Sequence, residues 1–225
     1  MSEVTRRILS GVILAALVLG DLWMGSAWFA ALLFVGAVIL SREYTRMIWA
    51  GWHSRWARIF WMIFGLVYFG AAISSLWLVR NTDDGFFIAM LLFGVVWATD
   101  IGAYAAGRAI GGPKIAPSIS PSKTWAGFAG GSVSVMLVVL GAFWWKLDLP
   151  PTRWELYLPA SLVACVLIAA VAQAGDFFES WLKRRARIKD SGILIPGHGG
   201  LFDRIDGLLP VAILFGIVVA WNVPA

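Results

Sequence analysis

Long apolar runs divide this chain into segments of membrane-spanning length. Crossing the hydrocarbon core of a bilayer takes about 20 apolar residues in a helix. Seven runs approach that length, with short polar stretches between them, so the pattern predicts an all-α, polytopic membrane bundle of about seven transmembrane helices. The predicted spans are Ile8–Gly20, Leu22–Leu40, Ile59–Val79, Phe86–Gly107, Trp125–Trp145, Leu156–Gly175 and Gly207–Trp221.

The first two runs are together too long for one crossing and short for two. As a single helix, Ile8–Leu40 would measure about 50 Å, against a hydrocarbon thickness of about 30 Å. Asp21, with Gly20, Gly25 and Ser26 around it, favours a turn. We therefore expect a tight hairpin, and a single crossing by the whole segment is the alternative.

Positive charge is distributed unevenly over the polar stretches. With the N-terminus in the cytoplasm, fifteen of the 18 Lys and Arg residues fall inside, and only Arg80, Lys146 and Arg153 fall outside. This asymmetry predicts cytoplasmic loops at the polar segments described below and a C-terminus outside. Arg6 and Arg7 precede the first run as in a signal peptide, but a second run follows at once, which favours a retained anchor.

Composition agrees with the membrane interpretation and excludes other classes. Of the 225 residues, 60% are apolar and 14% charged, with a mean hydropathy of +0.80. A soluble domain carries about 45–50% apolar and about 25% charged residues. The high apolar and low charged fractions exclude disorder and a coiled coil. A disulfide scaffold is excluded because Cys165 is the single cysteine. The net charge of +5 is typical of loops that face anionic lipid headgroups, not of nucleic-acid binding.

An ionisable residue, Asp100, interrupts the fourth apolar run. Such a group costs a few kcal/mol in a membrane, so it faces protein or water and is a functional candidate. Tyr104, Gly107 and Arg108 follow at spacings that share its helix face. The alternative is that Asp100 and Arg108 only fasten helices together.

The stretch 111–127 offers hydroxyls and an ammonium at the mouth of the next span. Its prolines exclude a regular helix, and Ser120, Lys123 and Thr124 lie in its second half. The Lys-Thr pair resembles the end of a P-loop, but Pro117 and Ser122 stand where that motif needs glycines. Alone, the stretch is equally consistent with a basic cytoplasmic loop.

The segment 173–206 combines carboxylates, cations and a glycine-rich turn. If the sixth span continues into the cytoplasm, polar side chains from Gln173 to Arg187 share one helix face. Residues 196–200 read Pro-Gly-His-Gly-Gly, a turn whose backbone N–H groups can approach an anion closely. Asp203 and Asp206 then follow at i, i+3. The residues expected on the helix face are Gln173, Asp176, Ser180, Lys183 and Arg187.

This combination favours phosphate chemistry on a divalent cation. Mg²⁺ prefers one or two carboxylates plus waters and substrate phosphates, which suits Asp176 and Asp203. Neighbouring cations would neutralise charge on transferring phosphoryl oxygens. A polybasic segment that only binds anionic headgroups would explain the cations, but not the aspartates and the Gly/His turn.

These motifs are similar to those of one enzyme family. Ser180–Asp206 matches the signature of CDP-diacylglycerol synthase, also called phosphatidate cytidylyltransferase, at every specified position. Asp100–Arg108 and Ser120–Gly127 match two further motifs of the family, although Ser122 and Ala126 replace a lysine and a glutamate there. Arg42-Glu43-Tyr44 resembles the polar end of its second span.

The resemblance implies transfer of the cytidylyl group of CTP to phosphatidate, giving CDP-diacylglycerol and pyrophosphate. The distribution of Lys and Arg places the catalytic loops in the cytoplasm and fits a bacterial inner membrane or an ER-like membrane, and the small size of the chain favours the bacterial one. The resemblance further implies a Mg²⁺ ion on Asp176 and Asp203, a companion monovalent cation such as K⁺, and catalytic roles for Lys123 and His198. A homodimer is expected by resemblance. Further residues implied to contact substrate are Asp100, Tyr104, Arg108, Ser120, Thr124, Ser180, Lys183, Arg184, Lys189, Asp190, Gly199, Gly200, Arg204 and Asp206.

The resemblance also suggests how the chain is organised. We expect one integral-membrane domain over 1–225, with N-terminal helices in 1–80 that match the family poorly and a catalytic bundle in 86–225. Competing interpretations are a CTP-dependent lipid kinase, a cytidylyltransferase for another lipid, a carrier that uses Asp100 as its coupling site, and a lipid-binding protein without turnover. A CDP-alcohol phosphotransferase is disfavoured because its Asp-Gly-x2-Ala-Arg motif is absent.

Overall fold

A computed structural model describes residues 3–146, 154–192, 194 and 199–222. Over these residues the chain forms eight helices and one two-stranded β-hairpin. The elements are α1 (Glu3–Met24), α2 (Ser26–Gly51), α3 (Arg55–Arg80), α4 (Gly85–Ala109), β1 (Lys114–Ala116), β2 (Ser120–Thr124), α5 (Trp125–Lys146), α6 (Trp154–Ala186), α7 (Phe202–Ile205) and α8 (Leu208–Asn222).

Five helices in the described part of the chain are long and apolar enough to cross a membrane. They are α2, α3, α4, α5 and the Ala160–Ala186 part of α6, whereas Gly11–Met24 and Leu208–Trp221 are shorter apolar helices. A helical bundle with several helices of spanning length is therefore confirmed. The number seven and the orientation remain predictions.

The break between the first two helices lies at Gly25. Its φ of 109° falls in the region that only glycine adopts freely, and α1 ends and α2 begins on either side of it. Ile8–Leu40 is thus two helices, as expected. The position of the turn was predicted wrongly, because Asp21 lies inside α1.

Helix α6 continues well past its apolar run, which is the condition under which its polar residues are expected to share one face. Its 33 residues extend to Ala186 and carry Asp176, Ser180 and Lys183 in one helix. The helix ends because Arg187 adopts a left-handed φ of 56°. The expected common face therefore holds as far as Lys183, and the inclusion of Arg187 was wrong.

Helices α4 and α5 pack closely through small residues. A Cβ atom added to Gly130 would collide with Ala106 and come within 2.7 Å of the Gly102 carbonyl oxygen. One added to Gly131 would lie 3.0 Å from the Thr99 carbonyl oxygen. Such small residues let two helix backbones approach each other. The packing fixes α4, which carries Asp100, against the start of α5 beside the β-hairpin.

The β-hairpin occupies the stretch where prolines exclude a regular helix. Strands β1 and β2 are antiparallel, pairing Lys114 with Thr124 and Ala116 with Ser120. The Trp125 N–H donates to the Pro113 carbonyl, which ties the start of α5 to the base of the hairpin. The hairpin therefore holds Lys123 at the end of the bundle where α4 ends and α5 begins.

An aromatic cluster anchors the short helix α7. Phe202 is fully buried, and its ring lies 5.6 Å from that of Phe69 in an edge-to-face arrangement. Tyr44 packs against Phe69 at 5.0 Å in the same geometry. Edge-to-face pairs of this kind are favourable beyond the area they bury. They fix α7 against α2 and α3, and with it the adjacent Asp203.

Candidate active site

The polar ends of α4, α6 and α7 and the β-hairpin surround one cavity of about 660 Å³. Its wall includes residues from all three sequence motifs. Six acidic and five basic side chains of the described residues line it. They are Asp100, Asp176, Glu179, Asp190, Asp203 and Asp206, and Arg108, Lys114, Lys123, Lys183 and Arg204.

Lys123 is surrounded by carboxylates from three different elements. Its ammonium forms an ion pair with Asp176 of α6 and is also attracted by Asp100 and Asp206. Burial alone would lower the pKa of Lys123, but these carboxylates outweigh it and raise the pKa above its ordinary value. Lys123 therefore carries a fixed positive charge inside the cavity.

Asp206 lies just after α7 and close to Asp176. The Gly207 N–H donates to its carboxylate at 2.8 Å. Burial and the nearby Asp176 and Asp100 carboxylates raise the pKa of Asp206 well above its ordinary value, against the attraction of Lys123. The region around Lys123 thus gathers more carboxylates than one ammonium neutralises.

Asp203 is held in place by a dense set of donors. Its Oδ1 accepts from Lys183 Nζ at 2.6 Å, and its Oδ2 accepts from the N–H groups of Ser191 and Gly200, each at 2.8 Å. The Ser191 hydroxyl donates to Oδ2 as well, at 2.8 Å. Burial opposes ionisation, but the hydrogen bonds with Glu179, Lys183, Gly200 and Ser191 lower the pKa of Asp203 to about 2.

Sequence reasoning assigned no role to Glu43, which organises the segment around Asp203. The carboxylate of Glu43 is buried and accepts from the N–H groups of Leu201 and Phe202 at 2.9 and 2.8 Å. Its Oε2 also lies 3.0 Å from the Ser191 hydroxyl, whose single proton is shared between Glu43 and Asp203 Oδ2 at 2.8 Å. A Cβ on Gly200 would collide with this carboxylate. The similarity of Arg42-Glu43-Tyr44 to a family feature was the available signal.

Two further polar residues of α6 line the cavity and were not predicted as site residues. Glu179 is 1% exposed and binds Lys183 Nζ through Oε2 at 2.7 Å. Gln173 is 5% exposed, and its Nε2 has no hydrogen-bond partner among the described residues. Gln173 was placed on the correct helix face but given no role, since an amide alone predicts no chemistry.

The expected face of α4 lines the cavity. Asp100, Tyr104, Gly107 and Arg108 all belong to its wall. Arg108 donates to the Tyr104 hydroxyl at 2.9 Å, and the Tyr104 side chain is exposed. The charges that act on Asp100 include those of Lys123, Asp176 and Arg204. Asp100 therefore faces the polar groups of the cavity.

Thr124 has a structural contact in addition to its position in the cavity wall. Its hydroxyl oxygen accepts from the Gly127 N–H at 3.0 Å, in the first turn of α5. This hydrogen bond satisfies an N–H group that the helix itself leaves without a partner. Asp190 lies in the wall as expected.

Six predicted contact residues lie outside the cavity wall: Ser120, Ser180, Arg184 and Lys189, and also Gly199 and Gly200 of the glycine-rich turn. Ser120 is buried within the hairpin, and the Ser180 hydroxyl faces Asp176 at 3.5 Å. Arg184 donates to the Ile119 carbonyl at 3.3 Å and so connects α6 to the hairpin. Lys189 is exposed after the end of α6. The structure does not bring these six into the group that lines the cavity.

The glycine-rich turn is described only in part. Gly199 adopts a φ of 83°, where a side chain would be strained, and a Cβ there would lie 2.7 Å from Asp203 Oδ2. The Gly200 N–H binds the same oxygen. Both glycines therefore shape the surroundings of Asp203. His198 lies outside the described residues.

Asp176 and Asp203 are the carboxylates that could hold a magnesium ion together with substrate phosphates. Among the described residues, no three His, Cys, Asp or Glu side chains are gathered closely enough to hold a metal alone. Mg²⁺ does not require this, because it binds through one or two carboxylates plus phosphates and water. Asp176 and Asp203 line the same cavity and contact different lysines, Lys123 and Lys183. Because both carboxylates already bind positively charged ammonium groups, the same positions suit a metal cation.

Comparison with known proteins gives consistent matches. A model described as the cytidylyltransferase family matches residues 48–221. A phosphatidate cytidylyltransferase of Brucella suis biovar 1 (strain 1330) is 46% identical over 164 residues, 71% of this chain and 58% of that protein. The phosphatidate cytidylyltransferase of Rickettsia felis (strain ATCC VR-1525 / URRWXCal2) is 35% identical over 216 residues, which are 95% of this chain and 91% of that protein. The one of Rickettsia bellii (strain RML369-C) is 36% identical over 218 residues, 96% of this chain and 91% of that protein. The chain thus spans less than two thirds of the Brucella protein's length.

Proposed function

The chain belongs to the cytidylyltransferase family, and we propose that it transfers the cytidylyl group of CTP to phosphatidate, giving CDP-diacylglycerol and pyrophosphate in phospholipid biosynthesis. The observation that carries the proposal is the meeting of three motifs in one cavity. Asp100 comes from α4, Lys123 from β2, and Asp176, Lys183 and Asp203 from the 173–206 segment. The names of the bacterial relatives support the same reaction.

In the proposed reaction the nucleophile is an oxygen of the phosphatidate phosphate. A phosphate monoester has a second pKa of about 6, so this oxygen is ionised near neutral pH without a protein base. It attacks the α-phosphorus of CTP, a new P–O bond forms, and the bond between the α-phosphorus and the bridging oxygen breaks. Pyrophosphate leaves with that bonding pair. Catalysis then consists of positioning and charge neutralisation.

The charged residues of the cavity suit those two tasks. Lys123 is held by Asp176 of α6, and Lys183 is held by Glu179 of its own helix and by Asp203 of α7. These contacts fix both ammonium groups before substrate arrives. Arg108, Lys114 and Arg204 add positive charge to the same wall. In this proposal all five bind phosphate oxygens of the two substrates, where negative charge increases as pyrophosphate leaves.

Metal dependence is part of the proposal. Asp176 and Asp203 would hold Mg²⁺, with a monovalent cation such as K⁺ beside it. The ions would supply positive charge opposite the transferring phosphate. Asp100 and Asp206 keep Lys123 oriented, and Glu43 and Ser191 fix Asp203. We assign His198, together with Gly199 and Gly200, to shaping the loop that receives the nucleotide.

The membrane setting is also proposed. We place the N-terminus in the cytoplasm, the chain across a bacterial inner membrane seven times, and the cavity on the cytoplasmic side. The fifteen-to-three distribution of Lys and Arg supports this orientation. The homodimer implied by family resemblance remains a prediction.

The direct test incubates purified protein in detergent with CTP, phosphatidate and Mg²⁺ and measures pyrophosphate. We expect release that depends on phosphatidate and disappears in the Asp176→Asn variant. A CTP-dependent lipid kinase would release CDP instead. Solute flux in proteoliposomes without nucleotide turnover would support a carrier and contradict the proposal.

A further inference from the structure

Gln173 presents a buried hydrogen-bond donor for which the described residues provide no partner. Its side chain is 5% exposed and belongs to the cavity wall, and its buried Nε2 has no hydrogen-bond partner among the described residues. Burying a donor without a partner is costly, so native structures rarely keep one without a use. Glu179, the other residue of the cavity wall with an unpaired atom, still binds Lys183 through its second oxygen.

The position of Gln173 along α6 places it at the apolar end of the cavity. Residues 160–172 contain one polar side chain, Ser161, so Gln173 is where α6 turns from apolar to polar. Asp176 lies about 4.5 Å further along the helix axis and Lys183 about 15 Å further, at 1.5 Å per residue. The phosphate-binding charges of α6 all lie on one side of Gln173.

A lipid phosphate with two acyl chains carries hydrogen-bond acceptors, its ester carbonyls, at the depth of Gln173. Its two ester carbonyls lie between the phosphate and the hydrocarbon chains. If the phosphate binds at the level of Lys123 and Asp176 and the chains extend into lipid, a carbonyl lies at the level of Gln173. An ester carbonyl only accepts hydrogen bonds, which is what an unpaired amide N–H requires. CTP, by contrast, is highly charged and enters from the aqueous end.

We propose that Gln173 Nε2 donates a hydrogen bond to an ester carbonyl of phosphatidate, so that Gln173 selects ester-linked over ether-linked lipid phosphates. The inference rests on the proposed function and extends it to the part of the lipid next to the phosphate. An ether-linked lipid has the same phosphate and chains but lacks the carbonyl oxygen. It would leave the Gln173 donor unpaired in the bound state, as in the free enzyme.

The test compares two lipids and two enzymes. A dioleoyl phosphatidate and the dioleyl ether analogue, which has the same chain length, are each assayed with wild type and Gln173→Met, a variant of similar shape without the donor. We expect wild type to favour the diester in kcat/KM by about three- to tenfold. In Gln173→Met, kcat/KM for the diester should fall by that same three- to tenfold. Its kcat/KM for the diether should stay within about twofold of wild type, and its KM for CTP should be unchanged.

Controls separate this inference from folding defects and from the proposed function. Ser132→Ala removes a hydroxyl that bonds to the Phe128 carbonyl on α5, so it should affect both lipids equally. If Gln173→Met does not fold, Gln173→Asn shortens the amide and should likewise abolish the preference. Equal losses on both lipids, or a wild type without preference, overturn the inference alone. A wild type that releases no pyrophosphate with either lipid overturns the proposed function as well.

Discussion

Asp176 and Asp203 each hold a lysine against the cavity wall, so their removal tests the proposed charge arrangement. Asp176→Asn and Asp203→Asn should each lower kcat by about a hundredfold or more, because each loses a cation partner and a proposed metal ligand. The double variant should lose little beyond either single one, since groups that act as a unit are non-additive. Pyrophosphate release by purified variants measures this.

A control distinguishes catalysis from folding in these variants. Both should elute in detergent as the wild type does, because both side chains lie in the cavity wall and asparagine has the size of aspartate. Near-normal turnover of Asp176→Asn with an unchanged dependence on Mg²⁺ would contradict the metal assignment.

Glu43 acts on the site through other residues. Glu43→Gln replaces one carboxylate oxygen with an amide that faces N–H and O–H donors, so Ser191 and the start of α7 lose part of their support. We expect kcat to fall about tenfold, with the KM for CTP changing far less. The matched control is Arg46→Gln, an exposed change on the same helix. Equal kcat for both variants would exclude a positioning role for Glu43.

Local sequence motifs predicted some of the individual residues of the cavity, and the others are brought there only by the fold of the chain. Asp100, Lys123, Asp176 and Asp203 lie in motifs whose charges are unusual for a membrane protein, so the sequence indicates them. Glu43 of α2 is 148 residues from Ser191, which follows α6, and the packing of α2 against α6 and α7 brings the two together. No spacing rule predicts such a contact.

At the level of the helices, α4 and α5 pack closely against each other, and Gly130→Ala tests this contact. The added Cβ would collide with Ala106, so we expect overpacking to cost about 1–3 kcal/mol and to lower the thermal midpoint in detergent. Activity should fall too, because Asp100 would shift relative to Lys123. Gly141→Ala on the same helix meets nothing within 4 Å and should be neutral or stabilising. Equal thermal midpoints for the two variants would refute this packing account.

Among the elements, the long helices were predictable and the short ones were not. Apolar run length indicated the spans, and the spacing of Asp176, Ser180 and Lys183 indicated one helix face on the condition that α6 continues past its apolar run. Prolines excluded a helix in 111–127 but gave no information on strand pairing. The left-handed backbone of Arg187 and the four-residue helix α7 depend on tertiary contacts, which periodicity does not carry.

The orientation of the whole molecule is testable by cysteine accessibility. Cys165 is buried, so added cysteines should dominate labelling by a membrane-impermeant thiol reagent. Asp148→Cys should label in intact cells, whereas Lys189→Cys should label only after permeabilisation, as the Lys and Arg distribution requires. The reverse pattern would place the cavity outside the cell and contradict the proposed access of CTP.

The central claim is that this cavity transfers the cytidylyl group of CTP to a lipid phosphate, and isotope position tests it most directly. Wild type in vesicles containing phosphatidate is given CTP labelled at the α- or the γ-phosphorus, with the Asp176→Asn/Asp203→Asn double variant as control. We expect the α-label in a lipid product and the γ-label in pyrophosphate, with neither in the double variant. Label from the γ-phosphorus in lipid, or the same lipid labelling in the double variant, would contradict the account.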